Sequence, residues 1–280
     1  MKSDIIIILL FITTLYADAN EHIDRINKEL MAGRSPDALE LFNEALTKYD
    51  ANASLYFLGA TISIKLDDLD QANKYYIKAI EFDPKNKEYR NAQQELLDFK
   101  NALTATRKTF DSGLLDEAIL EYEKLTNKYP DHSIVFYNLG LIYKASENYD
   151  LAVKNYQKAH ELNSYEEKYS KAIKAIAQMS TMQGDEEYRR QEFDEAIASY
   201  HRSIDYDPSY TVAIFKLART YYKLRDLDNA EILLIEGLKI NGDQEQSEKM
   251  LADIFRKSGQ LEEAILHYKK AISINENYYQ

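Results

Sequence analysis

Along most of the chain, small residues recur on one helical face at a near-constant interval. Ala38, Ala72, Ala118, Ala152, Ala196, Ala230 and Ala264 are separated by 34, 46, 34, 44, 34 and 34 residues. Four positions after each stands a large apolar residue: Phe42, Tyr76, Tyr122, Tyr156, Tyr200, Leu234 and Tyr268. Seven after it comes a second, usually small one: Ala45, Ala79, Leu125, Ala159, Ser203, Gly237 and Ala271. Spacings of four and seven set all three on one side of an α-helix. Small residues there admit a neighbouring helix, and the large residue fills the space beside them. Each segment meets a stop signal twelve positions after its small residue. Pro84, Pro130 and Pro208 are the strong ones, and Asp50, Ser164, Gly242 and Glu276 the weaker.

A second amphipathic stretch precedes each of these. Its clearest copies run from Phe136 to Tyr143 and from Ile214 to Tyr221. Turn signals such as Asp111-Ser112-Gly113 and Ser258-Gly259-Gln260 separate the two stretches, so the pattern predicts units of helix, turn, helix. Phe136, Leu139-Gly140, Tyr143, Ala152, Tyr156 and Ala159 resemble the tetratricopeptide repeat (TPR), with Ser164 where that family carries proline. Seven units fit, at 19–52, 53–86, 99–132, 133–166, 177–210, 211–244 and 245–278. The first departs most, with Arg25-Ile26 at the Leu-Gly pair. The second, aligned on Leu58-Gly59, is expected to hold one extra residue in its turn.

The resemblance implies an all-α fold, a right-handed α–α superhelix (a TPR solenoid) of helix–turn–helix repeats. Its concave wall is formed by the first helix of each unit. One pair of helices cannot bury its apolar stripe alone, so the core is built by stacking neighbours. Insertions at 87–98 and 167–176 contain neither Pro nor Gly and consist of helix formers. They are expected to lengthen the first helices of the third and fifth units, either splitting the array into blocks of two, two and three units or adjusting its curvature.

The first nineteen residues have a different pattern. Ile5 to Tyr16 is an almost unbroken apolar run, succeeded by Ala17-Asp18-Ala19. Twelve helical residues reach about 18 Å, short of a bilayer's ~30 Å hydrocarbon core. The segment reads as a signal peptide cleaved after Ala19, although Asp4 offsets Lys2 in the leading region. The array then occupies 20–280, in a periplasmic or secreted setting. A eukaryotic lumen is the alternative exported setting, and a membrane anchor or a cytoplasmic location the alternative if the segment is not cleaved.

Composition narrows the chemistry. Lys and Arg total 35 against 47 Asp and Glu, a net charge of −12, which disfavours nucleic acid as a partner. Cysteine is absent, so there is no disulfide, thiolate metal site, cysteine nucleophile or lipid-modified cysteine. The five histidines, His22, His132, His160, His201 and His267, share no metal-ligand spacing. Asp67-Asp68-Leu69-Asp70 lacks the glycine and glutamate of a calcium loop and reads as a helix start. No enzyme, cofactor or metal site is expected.

The candidate work lies on the first-helix wall. In the last three units it comprises Tyr188, Arg189, Phe215, Arg219, Tyr222, Lys223, Lys249, Arg256 and Lys257, with Asp185 and Asp253 as the opposing charges. Six cations against two anions on an acidic protein suit a groove for an acidic, extended segment of another protein. In earlier units the wall is apolar: Ile23, Leu30, Tyr56, Leu103, Tyr137 and Leu141. The function expected is a non-catalytic protein-interaction scaffold, with a holdase for unfolded segments as its rival. The Lys, Asn, Asn, Lys and Arg clamp by which some related domains hold acidic chaperone C-termini is not carried over. Asn138 matches one asparagine, but Leu103, Arg107, Gln178 and Thr181 fill the neighbouring places. Ile265, Tyr268 and Ile272 on the last helix make a homodimer through the C-terminal unit a further expectation.

Overall fold

Fourteen helices and no strand make up the described residues of the computed structural model, 18–242 and 244–277. The segment expected to act as a signal peptide lies outside them, save for its last two residues. No helix among the described residues is long and apolar enough to cross a membrane.

The helices are α1 (18–31), α2 (Ser35–Lys48), α3 (Ala53–Lys65), α4 (Leu69–Phe82), α5 (Lys87–Asp111), α6 (Leu115–Lys128) and α7 (Ser133–Ala145). They continue as α8 (Tyr149–Leu162), α9 (Glu167–Arg189), α10 (Phe193–Tyr206), α11 (Thr211–Leu224), α12 (Leu227–Ile240), α13 (Glu245–Lys257) and α14 (Leu261–Asn277). Residues 87–98 and 167–176 are helical and run without a break into the first helices of the third and fifth units, giving α5 and α9 lengths of 25 and 23 residues. Side-chain caps start several helices. Asn52 accepts from the Leu55 amide at 2.9 Å, Asp68 from Gln71 at 2.9 Å and Asn86 from Glu88 at 3.0 Å. Asp68 therefore serves the helix start expected of the acidic run. Pro84, Pro130 and Pro208 each stand two residues past a helix end, whereas α14 runs through Glu276, a stop signal too weak to end it.

Every hairpin turn among the described residues has one design. Gly33, Asp67, Gly113, Glu147, Gln191, Arg225 and Gly259 all adopt positive φ, and each stands five residues before its small core residue. The amide after each bonds the carbonyl five residues behind it, as Asp68 does with Ser63 at 2.8 Å and Asn148 with Tyr143 at 2.8 Å. The turn after α3 is therefore no longer than the others. The register expected from Leu58-Gly59 is one residue out, because the counterpart of Gly140 is Ala60. A Cβ on Gly140 would come within 2.6 Å of the Tyr156 ring in its own pair, whereas one on Gly59 would meet Phe42 of the pair before.

The core matches the small-and-large pattern. Ala38, Ala72, Ala118, Ala152, Ala196 and Ala230 are fully buried, as are Phe42, Tyr156, Tyr200 and Leu234. Opposite them on the first helices, Ile26, Ala60, Thr106, Ala218 and Ala252 are buried as well.

The chain divides into two compact units, one ending at Ser170 and the other beginning at Lys171. The division falls in the first turn of α9, and the insertion at 87–98 lies inside the first unit instead of splitting it. Asp67 supplies a physical reason. It sits in the α3–α4 turn, and its carboxylate accepts from Ser133 Oγ at 2.6 Å, Asn163 Nδ2 at 2.8 Å and the Tyr169 hydroxyl at 2.6 Å. Those donors belong to the start of α7, the C-cap of α8 and the start of α9. Repeat arrays are otherwise held by nearest-neighbour contacts, so this carboxylate directly links segments that the stacking joins only through α5 and α6.

Candidate functional site

The nine wall residues expected in the last units all lie in the second compact unit, on α9, α11 and α13. Contacts between their side chains show that these three helices lie side by side. The Arg219 guanidinium of α11 stands 4.8 Å from the centre of the Tyr188 ring of α9. One step along, the Lys257 ammonium of α13 stands 4.4 Å from the Tyr222 ring centre of α11 and donates to the Tyr222 hydroxyl at 3.0 Å. Each aromatic thus receives a cation from the next first helix, an arrangement worth about 0.5–1 kcal/mol per exposed pair. Tyr188 is braced from its other side by an edge-on contact with Phe193, at 5.4 Å between centres.

The two wall carboxylates have partners that sequence reasoning missed. Asp185 accepts from the Tyr200 hydroxyl at 2.8 Å and from Lys216 Nζ at 2.7 Å. Asp253 accepts from the Tyr268 hydroxyl and pairs with Arg256 at 3.5 Å. Both are therefore engaged with the second helix of their own pair. Burial, and then the Asp185 carboxylate, push the Tyr200 phenol well above its ordinary pKa. The signal was legible as a spacing: an Asp fifteen residues before a Tyr at 185/200 and 253/268, replaced by Arg and Leu at 219/234. In the first unit Leu141 stands fifteen residues before Tyr156, whose buried hydroxyl has no partner among the described residues.

With Asp185 and Asp253 so occupied, Arg189, Arg219, Lys223, Lys249 and Lys257 face no carboxylate partner among the described residues. Arg189 is exposed and bonds only the Asp185 backbone carbonyl, at 3.3 Å. Lys223 and Lys249 are exposed. Between α11 and α13 an open cleft of about 500 Å³ is lined by Val212, Phe215, Lys216, Arg219, Gln246 and Met250, with Glu245 as the acid at its rim. Phe215 is half-buried, its ring against Gly237, and forms the cleft's apolar floor. The arrangement offers Lys216 and Arg219 beside the apolar Phe215 and Met250, with the cation–aromatic contacts of Tyr188 and Tyr222 on the same set of helices.

The remaining expected residues, Tyr56, Tyr137 and Leu141, belong to the first compact unit and are half-buried. Tyr56 stacks on Phe82 at 5.5 Å, and burial raises its phenol's pKa. Tyr137 packs on Tyr156 at 5.6 Å and Tyr169 at 5.1 Å. Ile23 and Leu30 lie against the core cluster of Ile26 and Phe42. On this apolar wall of the earlier units, Ile23, Leu30, Tyr56 and Tyr137 are thus each packed against other side chains of the first compact unit.

The tetratricopeptide-repeat profiles match residues 53–86, 133–166 and 187–254, and a TPR repeat profile matches 252–279. No curated protein matches the sequence. Among solved structures, MamA is 21% identical with a TM-score of 0.36, the match covering 62% of this chain and 96% of that one. MamA from Desulfovibrio magneticus RS-1 is 13% identical with a TM-score of 0.33, over 64% of this chain and 96% of that one. The first TPR of Spaghetti (RPAP3), bound to the HSP90 peptide SRMEEVD, is 23% identical with a TM-score of 0.35, over 36% and 80%. The matched repeats together span more than half of the 280 residues, and with the helix–turn–helix architecture they make this chain a tetratricopeptide-repeat protein.

Proposed function

We propose that the protein is a non-catalytic interaction scaffold of an extracytoplasmic compartment, holding an acidic, extended segment of another protein along α9, α11 and α13. The observation that carries this reading is the set of five cations without carboxylate partners, interleaved with Tyr188, Phe215 and Tyr222, on a chain of net charge −12. Local charge opposite to the global charge draws an acidic segment to this face and away from the rest of the surface. Rings already braced by cations lose little side-chain freedom when a peptide lies across them. The cleft floored by Phe215 and Met250 suits an apolar side chain between acidic ones. Export is supported by the apolar run at Ile5–Tyr16 and the small residues at the expected cleavage site. At the last hairpin the proposed partner is a second copy of the chain.

The test is fluorescence anisotropy with a labelled extended peptide carrying Asp and Glu around one apolar residue, beside its Lys-substituted counterpart. The acidic peptide binds, more weakly as salt rises, and Arg219→Ala with Lys223→Ala lowers its affinity about tenfold or more while thermal stability stays nearly unchanged. Equal binding of both peptides, or an unaffected double variant, overturns the assignment. For export, sequencing the mature protein gives Asn20 as the first residue, and an intact Met1 on soluble protein refutes it.

A further inference from the structure

The last helix leaves exposed two apolar positions that its counterpart one repeat earlier packs away, beside Leu266, whose equivalent Ile232 is itself 63% exposed. On α12, Leu227 and Leu238 pack against the core cluster built with α13 and α14. Their equivalents 34 residues later, Leu261 and Ile272, are 60% and 57% exposed, and Ile265 and Leu266 beside them are 55% and 53% exposed. Those four side chains present roughly 400 Å² of apolar surface, about half of what one partner contributes to a standard interface. The same face carries Glu262 toward its start and Lys269 two turns on, both exposed.

The geometry points to a homodimer in which α14 pairs antiparallel with α14 of a second copy, the two-fold axis passing near Ile265 and Leu266. Antiparallel pairing sets Glu262 of each copy opposite Lys269 of the other, twice by symmetry, while a parallel pairing sets like charges together. Self-complementary charge therefore selects a second copy as occupant and fixes its direction. The modest area makes the dimer a weak one, populated in the micromolar range. This dimer is independent of any ligand on α9, α11 and α13.

Sedimentation equilibrium of the purified full chain, from low micromolar to several hundred micromolar, tests it. A reversible monomer–dimer equilibrium is expected. Ile265→Glu abolishes it while leaving the circular-dichroism melt unchanged, since that side chain is more than half exposed. Glu262→Lys and Lys269→Glu each weaken association about tenfold or more, because each opposes like charges twice. Combined in one chain, the two swaps restore it. A monomer throughout, open-ended growth into larger species, or a doubly swapped chain as weak as either single variant overturns the proposal.

Discussion

Replacing Asp67 with glycine separates the long-range tie in the first compact unit from the local turn that carries it. Asp67 and Glu147 occupy the same place in equivalent turns, with φ of 62° and 60°. Glycine at either site relieves a left-handed conformation that disfavours a Cβ by about 1 kcal/mol. At Glu147, an exposed side chain, Glu147→Gly is therefore neutral or stabilising by up to about 1 kcal/mol. At Asp67 the same change removes a carboxylate with three donors: Ser133, Asn163 and Tyr169, which are 3%, 4% and 0% exposed. Hydrogen bonds to a charged acceptor are worth about 1.5–3 kcal/mol each, but these share one group and do not add. A total of about 3–5 kcal/mol, less about 1 for the relaxed backbone, leaves Asp67→Gly destabilised by about 2–4 kcal/mol.

Urea unfolding followed by tyrosine fluorescence reads both variants against the parent. In a double-mutant cycle, Asp67→Gly and Tyr169→Phe are strongly non-additive, because each breaks the same bond. Hydrogen exchange adds a regional readout, with protection at the starts of α7 and α9 falling in Asp67→Gly alone. If Asp67→Gly proves as stable as Glu147→Gly, the three bonds contribute nothing and the tie is not what holds the first unit together.

Two tyrosines with the same place in the repeat are expected to respond oppositely. Tyr200→Phe loses its bond to Asp185 and is destabilised by about 1–2 kcal/mol, whereas Tyr156→Phe discards an unpartnered buried hydroxyl and is neutral or stabilising; thermal melts of the two variants decide this. His132 packs against Phe99 at 4.4 Å, and burial followed by the Lys65 charge holds its pKa below the usual 6.5. The folded protein thus binds this proton less readily than the unfolded chain, so the neutral ring's contribution is complete above about pH 6.5 and declines as pH falls through the window below. His132→Phe removes that part of the pH dependence as pH falls below about 6.5, and an unchanged profile by urea titration counts against it.

The helix–turn–helix architecture was legible because it is written in local spacing. Ala152, Tyr156 and Ala159 need only one helical face to be recognised, and their burial comes from that face alone. The turns were legible at Gly113 and Gly259, where glycine marks the left-handed residue, as Gly33 also does in the structure. They were silent at Asp67, Glu147, Gln191 and Arg225, where the backbone bond five residues back imposes the same conformation without it. The Leu58-Gly59 pair misled the register because smallness, not glycine itself, is what the helix contact requires, and Ala60 satisfies it. The tie at Asp67 spans 66 to 102 residues, a separation on which a local pattern is mute. On the candidate site, the excess of cations was visible in the sequence. That Asp185 and Asp253 belong to Tyr200 and Tyr268 showed only as a fifteen-residue spacing, whose meaning depends on how two helices of one pair meet.

The central claim is that the face of α9, α11 and α13 holds an acidic segment. Its most direct test is hydrogen-exchange mass spectrometry of the full chain with and without the acidic peptide. Added protection is expected in peptides covering Asp185–Arg189, Thr211–Leu224 and Glu245–Lys257, with α2, α3 and α4 unchanged. Protection appearing instead on α10, α12 and α14, or on none of these helices while the peptide is bound, would contradict it.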